Sequence, residues 1–136
     1  MLSPKTKVNL RKFRKSRIQN HVRSRGNLVS FGKVGLQALE PTFLTSRQLE
    51  SARRVLKRTI KKKGQVWLQV FPTIPKTKKP EKTRMGKGKG RQYLWYFKAH
   101  PGKIIFEIGG NLNKKLLRNI LKKASFKLSG KSRCAE

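Results

Sequence analysis

Lys76–Gln92 reads KTKKPEKTRMGKGKGRQ and lies between two hydrophobic runs, Val66–Phe71 and Leu94–Phe97. It is dense in Lys and Arg, carries one carboxylate, Glu81, and from Arg84 to Gly90 alternates glycine with lysine. Glycine reaches backbone angles closed to other residues, so such a segment can press its main chain against another surface while its lysines neutralise charge. It has almost nothing apolar to bury and would not stay folded alone. The expectation is a long basic loop, residues 76–92, held at both ends by a sheet and ordered by a polyanion. Loops longer than about 12–15 residues inside a compact domain are usually functional or disordered, and this charge density favours function. Two nucleotide motifs are excluded. No Gly-Lys pair is followed by Ser or Thr, as a P-loop requires, and a G-x-G-x-x-G reading from Gly86 meets Arg91 at its third glycine.

The flanking runs define the sheet. Gln65–Phe71 alternates with apolar residues on both faces, which suggests a central strand closed by Pro72 and Pro75. Tyr93–Ala99 places Tyr93, Trp95 and Phe97 on one face and Leu94 and Tyr96 on the other. Pro101-Gly102 then suggests a turn into a returning strand, Lys103–Ile108, and hence a hairpin. These aromatics suit either core or a base-stacking platform, and the scarcity of other large apolar residues favours core. Upstream, Leu28–Phe31 and Val34–Leu39 read as short strands.

Thr45-Ser46-Arg47-Gln48 fits a capping box, with Leu44 and Leu49 as a hydrophobic staple. The helix it opens should run to about Lys63, with Gly64 as its C-terminal cap. Leu49, Ala52, Leu56 and Ile60 recur at helical spacing and should face the core. Arg47, Arg54, Lys57, Arg58, Lys61, Lys62 and Lys63 lie on other faces, and Glu50 is the one acid able to pair with them. A solvated helix normally mixes charge signs, so this surface is read as RNA-facing. Gly109-Gly110 reads as a turn. Asn113 should cap a last helix, Lys114 to about Ser125, burying Leu117, Ile120, Leu121 and Ala124.

The chain of 136 residues carries a net charge of +31, with 36 Lys or Arg against 5 acids and no Asp. Such self-repulsion points to a polyanionic partner, and nucleic acid is the default. No apolar run approaches the roughly 18–20 residues of a spanning helix, and no broad apolar helix face suits a membrane surface. One cysteine, Cys134, and two histidines, His21 and His100, cannot build a four-ligand zinc site. Catalysis lacks convergent groups, because the five Glu are dispersed, so neither an enzyme nor a cofactor is expected. The organisation reads as a basic arm at 1–27, one domain at 28–126 and a loose basic tail at 127–136. The arm offers Lys5, Lys7, Arg11, Lys12, Arg14, Lys15, Arg17, Arg23 and Arg25 as phosphate contacts and should order on binding.

Lys62–Pro72, KKGQVWLQVFP, closely resembles one signature of the L-sixteen family of large-subunit ribosomal proteins of bacteria and organelles. Arg84–Gly90, RMGKGKG, with Trp95 beyond it, resembles the second. Met1–Lys5, Phe13–Lys15, Phe31-Gly32, Thr45–Glu50 and Pro101–Lys103 add shorter matches in register. The resemblance implies an α+β hammerhead-type domain, with a mixed or antiparallel sheet, two helices packed on it, a basic arm and a long Gly/Lys loop. It implies a single copy in a large ribonucleoprotein, bound to large-subunit rRNA and neighbouring ribosomal proteins and close to the aminoacyl-site tRNA. By position, Lys78, Lys79, Arg84, Met85, Gly86, Lys87, Gly88 and Lys89 would form the loop facing tRNA and the peptidyl-transferase region. Two departures stand out. Gln69 occupies a usually basic position, which is expected to remove one phosphate contact. The family's Tyr-Trp pair is Leu94-Trp95 here, with the tyrosine at 93. Lysine excess suggests an AT-biased organellar genome, mitochondrial with chloroplast as the alternative and a free-living bacterium left open, and the match from Met1 argues against a cleaved leader. The alternative function is a free protein that binds or compacts nucleic acid.

Overall fold

Ile104–Ile108 is apolar except for Glu107 and is buried on both faces, and this strand is the centre of the molecule. The structure, a computed structural model, describes residues 20–22, 25–86 and 88–136. Its elements run β1 (Val34–Ala38), β2 (Thr42–Thr45), α1 (Ser46–Ile60), β3 (Gly64–Leu68), β4 (Ile74–Lys78), β5 (Arg91–Ala99), β6 (Ile104–Gly110), α2 (Lys114–Ser125) and β7 (Ser132–Ala135). They form two antiparallel sheets, β3-β6-β1-β7 and β2-β5-β4, rather than the one sheet expected. The class is α+β.

The helices pack on each other and on one face of the four-stranded sheet. That face carries Val34, Leu36, Ala38, Phe106 and Ile108, and α1 and α2 meet it with their buried stripes. The register skips one residue on β6, since Leu36 pairs with Phe106 and Gln37 with Ile104. This bulge turns both Ile105 and Phe106 into the core. The opposite face carries Gly35, Gln37, Glu107 and Trp67 and is crossed by the segment 25–32. Gly26 O accepts from Ile104 N at 3.0 Å and Asn27 O from Gln37 Nε2 at 3.1 Å.

Both helix starts form as the sequence suggests. The Thr45 hydroxyl accepts from Gln48 N at 3.3 Å while Gln48 Oε1 accepts from Thr45 N at 2.9 Å, and Asn113 caps α2. The end of α1 differs. It stops at Ile60, and Lys61 caps it at φ 53°. That positive angle is strained for a residue with a side chain. Gly64 is the first residue of β3 instead, because a Cβ there would stand 2.5 Å from Gly109 O.

Other expectations also change. Leu28–Phe31 forms no strand, since the Glu107 carboxylate takes the amides of Ser30 and Phe31. The strand expected over Gln65–Phe71 is β3, which already ends at Leu68 and lies at the sheet edge because β6 occupies the centre. The strands on either side of Pro101-Gly102 form no hairpin. Gly102 N donates to Ala38 O at 2.8 Å and Ala38 N to Lys103 O at 2.9 Å, which carries the chain from β5 in one sheet onto β1 in the other. Gly109 and Gly110 end β6 and make no turn. The tail, expected to be loose, adds β7 to the edge of β1. It is held there by Glu136, which bonds Arg118 at 2.6 Å and Lys114 at 3.5 Å, and by Lys131–Glu40 at 3.2 Å.

Candidate nucleic-acid interface

The outer face of α1 is almost wholly cationic. Arg47, Arg54, Lys57 and Arg58 are exposed along it, and Lys61, Lys62 and Lys63 are exposed where it ends. Glu50 bonds Arg53 at 2.8 Å and Arg54 at 3.2 Å. The Arg53 guanidinium holds the Glu50 carboxyl down at about 2, against the opposing effect of burial. The helix has 15 residues. At a rise of about 1.5 Å per residue, it spreads these cations over about 22 Å. A shallow cleft on this face is lined by Arg47, Glu50, Ser51, Arg54, Arg58 and Lys127.

The second basic group is the β4–β5 hairpin. Lys76 and Lys78, expected in the loop, belong to β4, so the loop proper spans residues 79–90. β4 tolerates Pro75 because it is an edge strand. The neck is narrow. A Cβ on Gly90 would meet Lys78 O at 2.5 Å, and Lys79 Nζ reaches Gly86 O at 2.9 Å. Beyond the neck, Arg84, Met85, Gly86, Gly88 and Lys89 are exposed, Met85 at 96%. Gly86 and Gly88 both take positive φ, 106° and 70°, and a side chain on either would meet no neighbour within 4 Å. The glycines therefore serve backbone shape and leave the main chain accessible.

Tyr93 joins the two groups. Arg47 Cζ stands 6.0 Å and Lys78 Nζ 5.9 Å from its ring centroid. The start of α1 and the hairpin neck thus meet at one half-exposed ring, within cation–π reach. The tyrosine displaced to position 93 has a definite place in the fold. Of the other aromatics, Tyr96 is buried, Trp95 and Phe97 are half-buried, and Phe43 meets Tyr96 edge-on at 5.2 Å. The preference for core holds for Tyr96 and only partly for the rest.

Arg25 is exposed on the strap over the sheet. Lys5, Lys7, Arg11, Lys12, Arg14, Lys15, Arg17, Arg23 and Lys87 lie outside the described residues. Gln69, which stands where the family usually has a basic residue, is bound within the fold. Its half-buried side chain donates to the buried carboxylate of Glu107, at Oε1, at 2.8 Å. Glu107 itself escaped the sequence reading, although a lone carboxylate in the run Ile104–Ile108 was the signal for it. Its oxygens accept from the backbone amides of Ser30 at 3.2 Å, Phe31 at 2.7 Å and Gly32 at 2.9 Å. His21 and His100, remote in sequence, bring their rings to 6.1 Å. Among the described residues no group of three His, Cys, Asp or Glu could hold a metal ion, and no helix is long and apolar enough to cross a membrane.

The two signatures imply an α+β domain with a mixed or antiparallel sheet, two helices and a long Gly/Lys loop, and comparison with known proteins settles the family. Residues 5–135 match the family described as ribosomal protein L16p/L10e. The chain belongs to that family. It is 45% identical over 133 residues to the large ribosomal subunit protein uL16 of Trichodesmium erythraeum, covering 98% of this chain and 95% of the relative. The proteins of the same name from Afipia carboxidovorans and Rhodopseudomonas palustris are 47% and 45% identical over the same shares. The family is one of ribosomal structural proteins and not of enzymes.

Proposed function

We propose that the chain binds large-subunit rRNA as a structural constituent of the large ribosomal subunit and, through its hairpin tip, helps to position the aminoacyl-site tRNA near the peptidyl-transferase region. Family membership supports the first part. The observation that carries the rest is the basic surface from Lys63 along α1 to Arg47, across Tyr93 to Lys78 and out to the exposed tip residues Arg84, Met85, Gly86, Gly88 and Lys89. Lys and Arg on such a surface neutralise phosphates, and they recognise A-form RNA by its backbone more than by its bases. Arg47, Arg54, Lys57, Arg58 and Lys61–Lys63 serve the rRNA together with the basic arm, and Lys78, Lys79 and the tip serve the tRNA side. The ribosome is organellar in this reading, mitochondrial before chloroplast, on the strength of the lysine excess.

The test is sedimentation of a lysate through sucrose at low salt and at high salt, probed for this chain. The expected result is that the chain stays with the large subunit at both, because salt screens exposed contacts more than buried ones. Release at high salt, or migration with DNA, would refute the reading in favour of a free nucleic-acid-binding protein. With about 8 phosphate contacts, the affinity of the free chain for rRNA should fall with a log–log salt slope of about −5 to −7. For the tip, Arg84→Ala with Lys89→Ala should keep the fold and weaken tRNA binding at the aminoacyl site. Unchanged tRNA affinity would remove the tip from the proposal.

A further inference from the structure

Phe31 is 66% exposed, yet its backbone is firmly held. Its N–H and those of its neighbours Ser30 and Gly32 all donate to the Glu107 carboxylate, and Lys33 N donates to Ile108 O at 2.9 Å. Glu107 is 1% exposed and sits on the central strand, so the anchor cannot drift. The Phe31 ring lies against Trp67, with centroids 6.4 Å apart and planes 25° from parallel. The indole in turn lies over Gly109, where a Cβ would come within 3.0 Å of it. Backbone, indole and phenyl thus form a stack that rises from the sheet and ends in an exposed aromatic face. Nothing in the basic surface on α1 and the hairpin uses it.

We propose that Phe31, backed by Trp67, is a stacking ledge for one unpaired RNA base, with Lys33 beside it for a flanking phosphate and Arg25 and Lys103 at the start of the strap for phosphates further along the same strand. The proposal rests on the rRNA-binding reading and deepens it by adding a base contact on a different face. Three observations favour a base over an apolar protein surface. The ledge is one flat ring backed by a second, which suits the π-face that every base presents. Lys33 adjoins it, and Arg25 and Lys103 stand where the strap begins, beyond the apolar Leu28 and Val29, whereas charged residues are depleted at the cores of protein interfaces. The acid of this face, Glu107, is buried and its oxygens are taken by four donors, so neither oxygen is presented to an incoming phosphate.

The experiment uses the full chain with large-subunit rRNA from the same source and compares wild type with Phe31→Ala and Phe31→Trp. Hydroxyl-radical cleavage reads the backbone footprint, and 2′-hydroxyl acylation reads the mobility of single nucleotides. Wild type and Phe31→Trp should quiet at least one unpaired nucleotide that stays reactive with Phe31→Ala, within an otherwise equal backbone footprint. Affinity should fall about 5- to 150-fold in Phe31→Ala, as for loss of one base–aromatic stack, with an unchanged salt slope. A backbone footprint with no nucleotide that depends on Phe31 overturns the ledge and leaves the rRNA reading intact. Absence of any footprint with wild type overturns the rRNA reading itself. A weakened footprint everywhere would make Phe31 structural, and equal rRNA binding with lost incorporation into the subunit would make the ledge a protein contact. Either result refutes the proposal.

Discussion

Replacing Glu107 should unpin the strap from the sheet. The carboxylate takes bonds from Phe31 N at 2.7 Å, Gly32 N at 2.9 Å, Ser30 N at 3.2 Å and Gln69 Nε2 at 2.8 Å. A hydrogen bond to a charged group contributes about 1.5–3 kcal/mol, but desolvating the carboxylate offsets several kcal/mol of that total. Ser30 and Phe31 are exposed, so water can replace the lost acceptor for two of the four donors. Glu107→Ala should therefore cost about 3 kcal/mol, a large fraction of the roughly 5–15 kcal/mol that stabilises a domain. Glu107→Gln should cost about 1 kcal/mol, since Gln69 can turn its carboxamide to accept where it now donates. The assay is urea unfolding of the full chain combined with amide exchange at residues 30–33. Those amides should lose protection in Glu107→Ala before the strands beneath them do. An unchanged unfolding midpoint with unchanged protection there would refute the claim that this carboxylate holds the strap.

At Gly110, φ is +140° and a Cβ would stand 2.5 Å from Lys63 O and Gly64 Cα. Gly110→Ala should therefore destabilise by about 2 kcal/mol or more, and thermal unfolding close to that of wild type would contradict it. Glu50 gives a pH dependence with a definite sign. Its carboxyl lies near 4.5 when unfolded and about 2 when folded, so the pair with Arg53 and Arg54 contributes fully above pH 4.5 and is lost as pH falls toward 2. Arg54 is 72% and Arg53 38% exposed, so solvent screens the pair. Its contribution is limited to about 1 kcal/mol, and Glu50→Gln should flatten the stability profile of wild type between those pH values. Burial pushes the Cys134 thiol up, so iodoacetamide at mildly alkaline pH should alkylate it more slowly in the folded chain than in urea; equal rates would place it outside the sheet edge.

The helices and their N-caps were legible because their signals are local. Thr45 with Gln48, and Asn113 before Lys114, need only the three or four residues that follow them. Strand pairing was less legible, since it depends on partners far away in sequence. The Pro101-Gly102 turn looks like a hairpin until Ala38 supplies the bonds that move the chain between sheets. Leu28–Phe31 has strand-forming residues, but the Glu107 carboxylate, far along the chain, takes the amides of Ser30 and Phe31. The basic surface was legible as composition. Its joint at Tyr93 was not, because Arg47, Lys78 and Tyr93 come from three elements.

The acids explain how so cationic a chain folds at all. Glu50 serves α1, Glu81 stands 3.5 Å from Lys78 at the hairpin neck, and Glu107 pins the strap. Glu40 meets Lys131, while Glu136 meets Arg118 and Lys114, and these two fasten the last strand at the sheet edge. Each of the five is thus engaged within the fold, between elements or along one. Exposed pairs of this kind contribute about 0–1 kcal/mol each and weaken in salt, so they fix geometry more than they add stability. Because the carboxylates are committed to the scaffold, the outer face of α1 and the hairpin tip must be neutralised from outside. A solvated monomer of charge +31 carries that repulsion uncompensated, whereas a particle rich in phosphate relieves it. The composition, the placement of the acids and the family therefore lead to the same partner by independent routes.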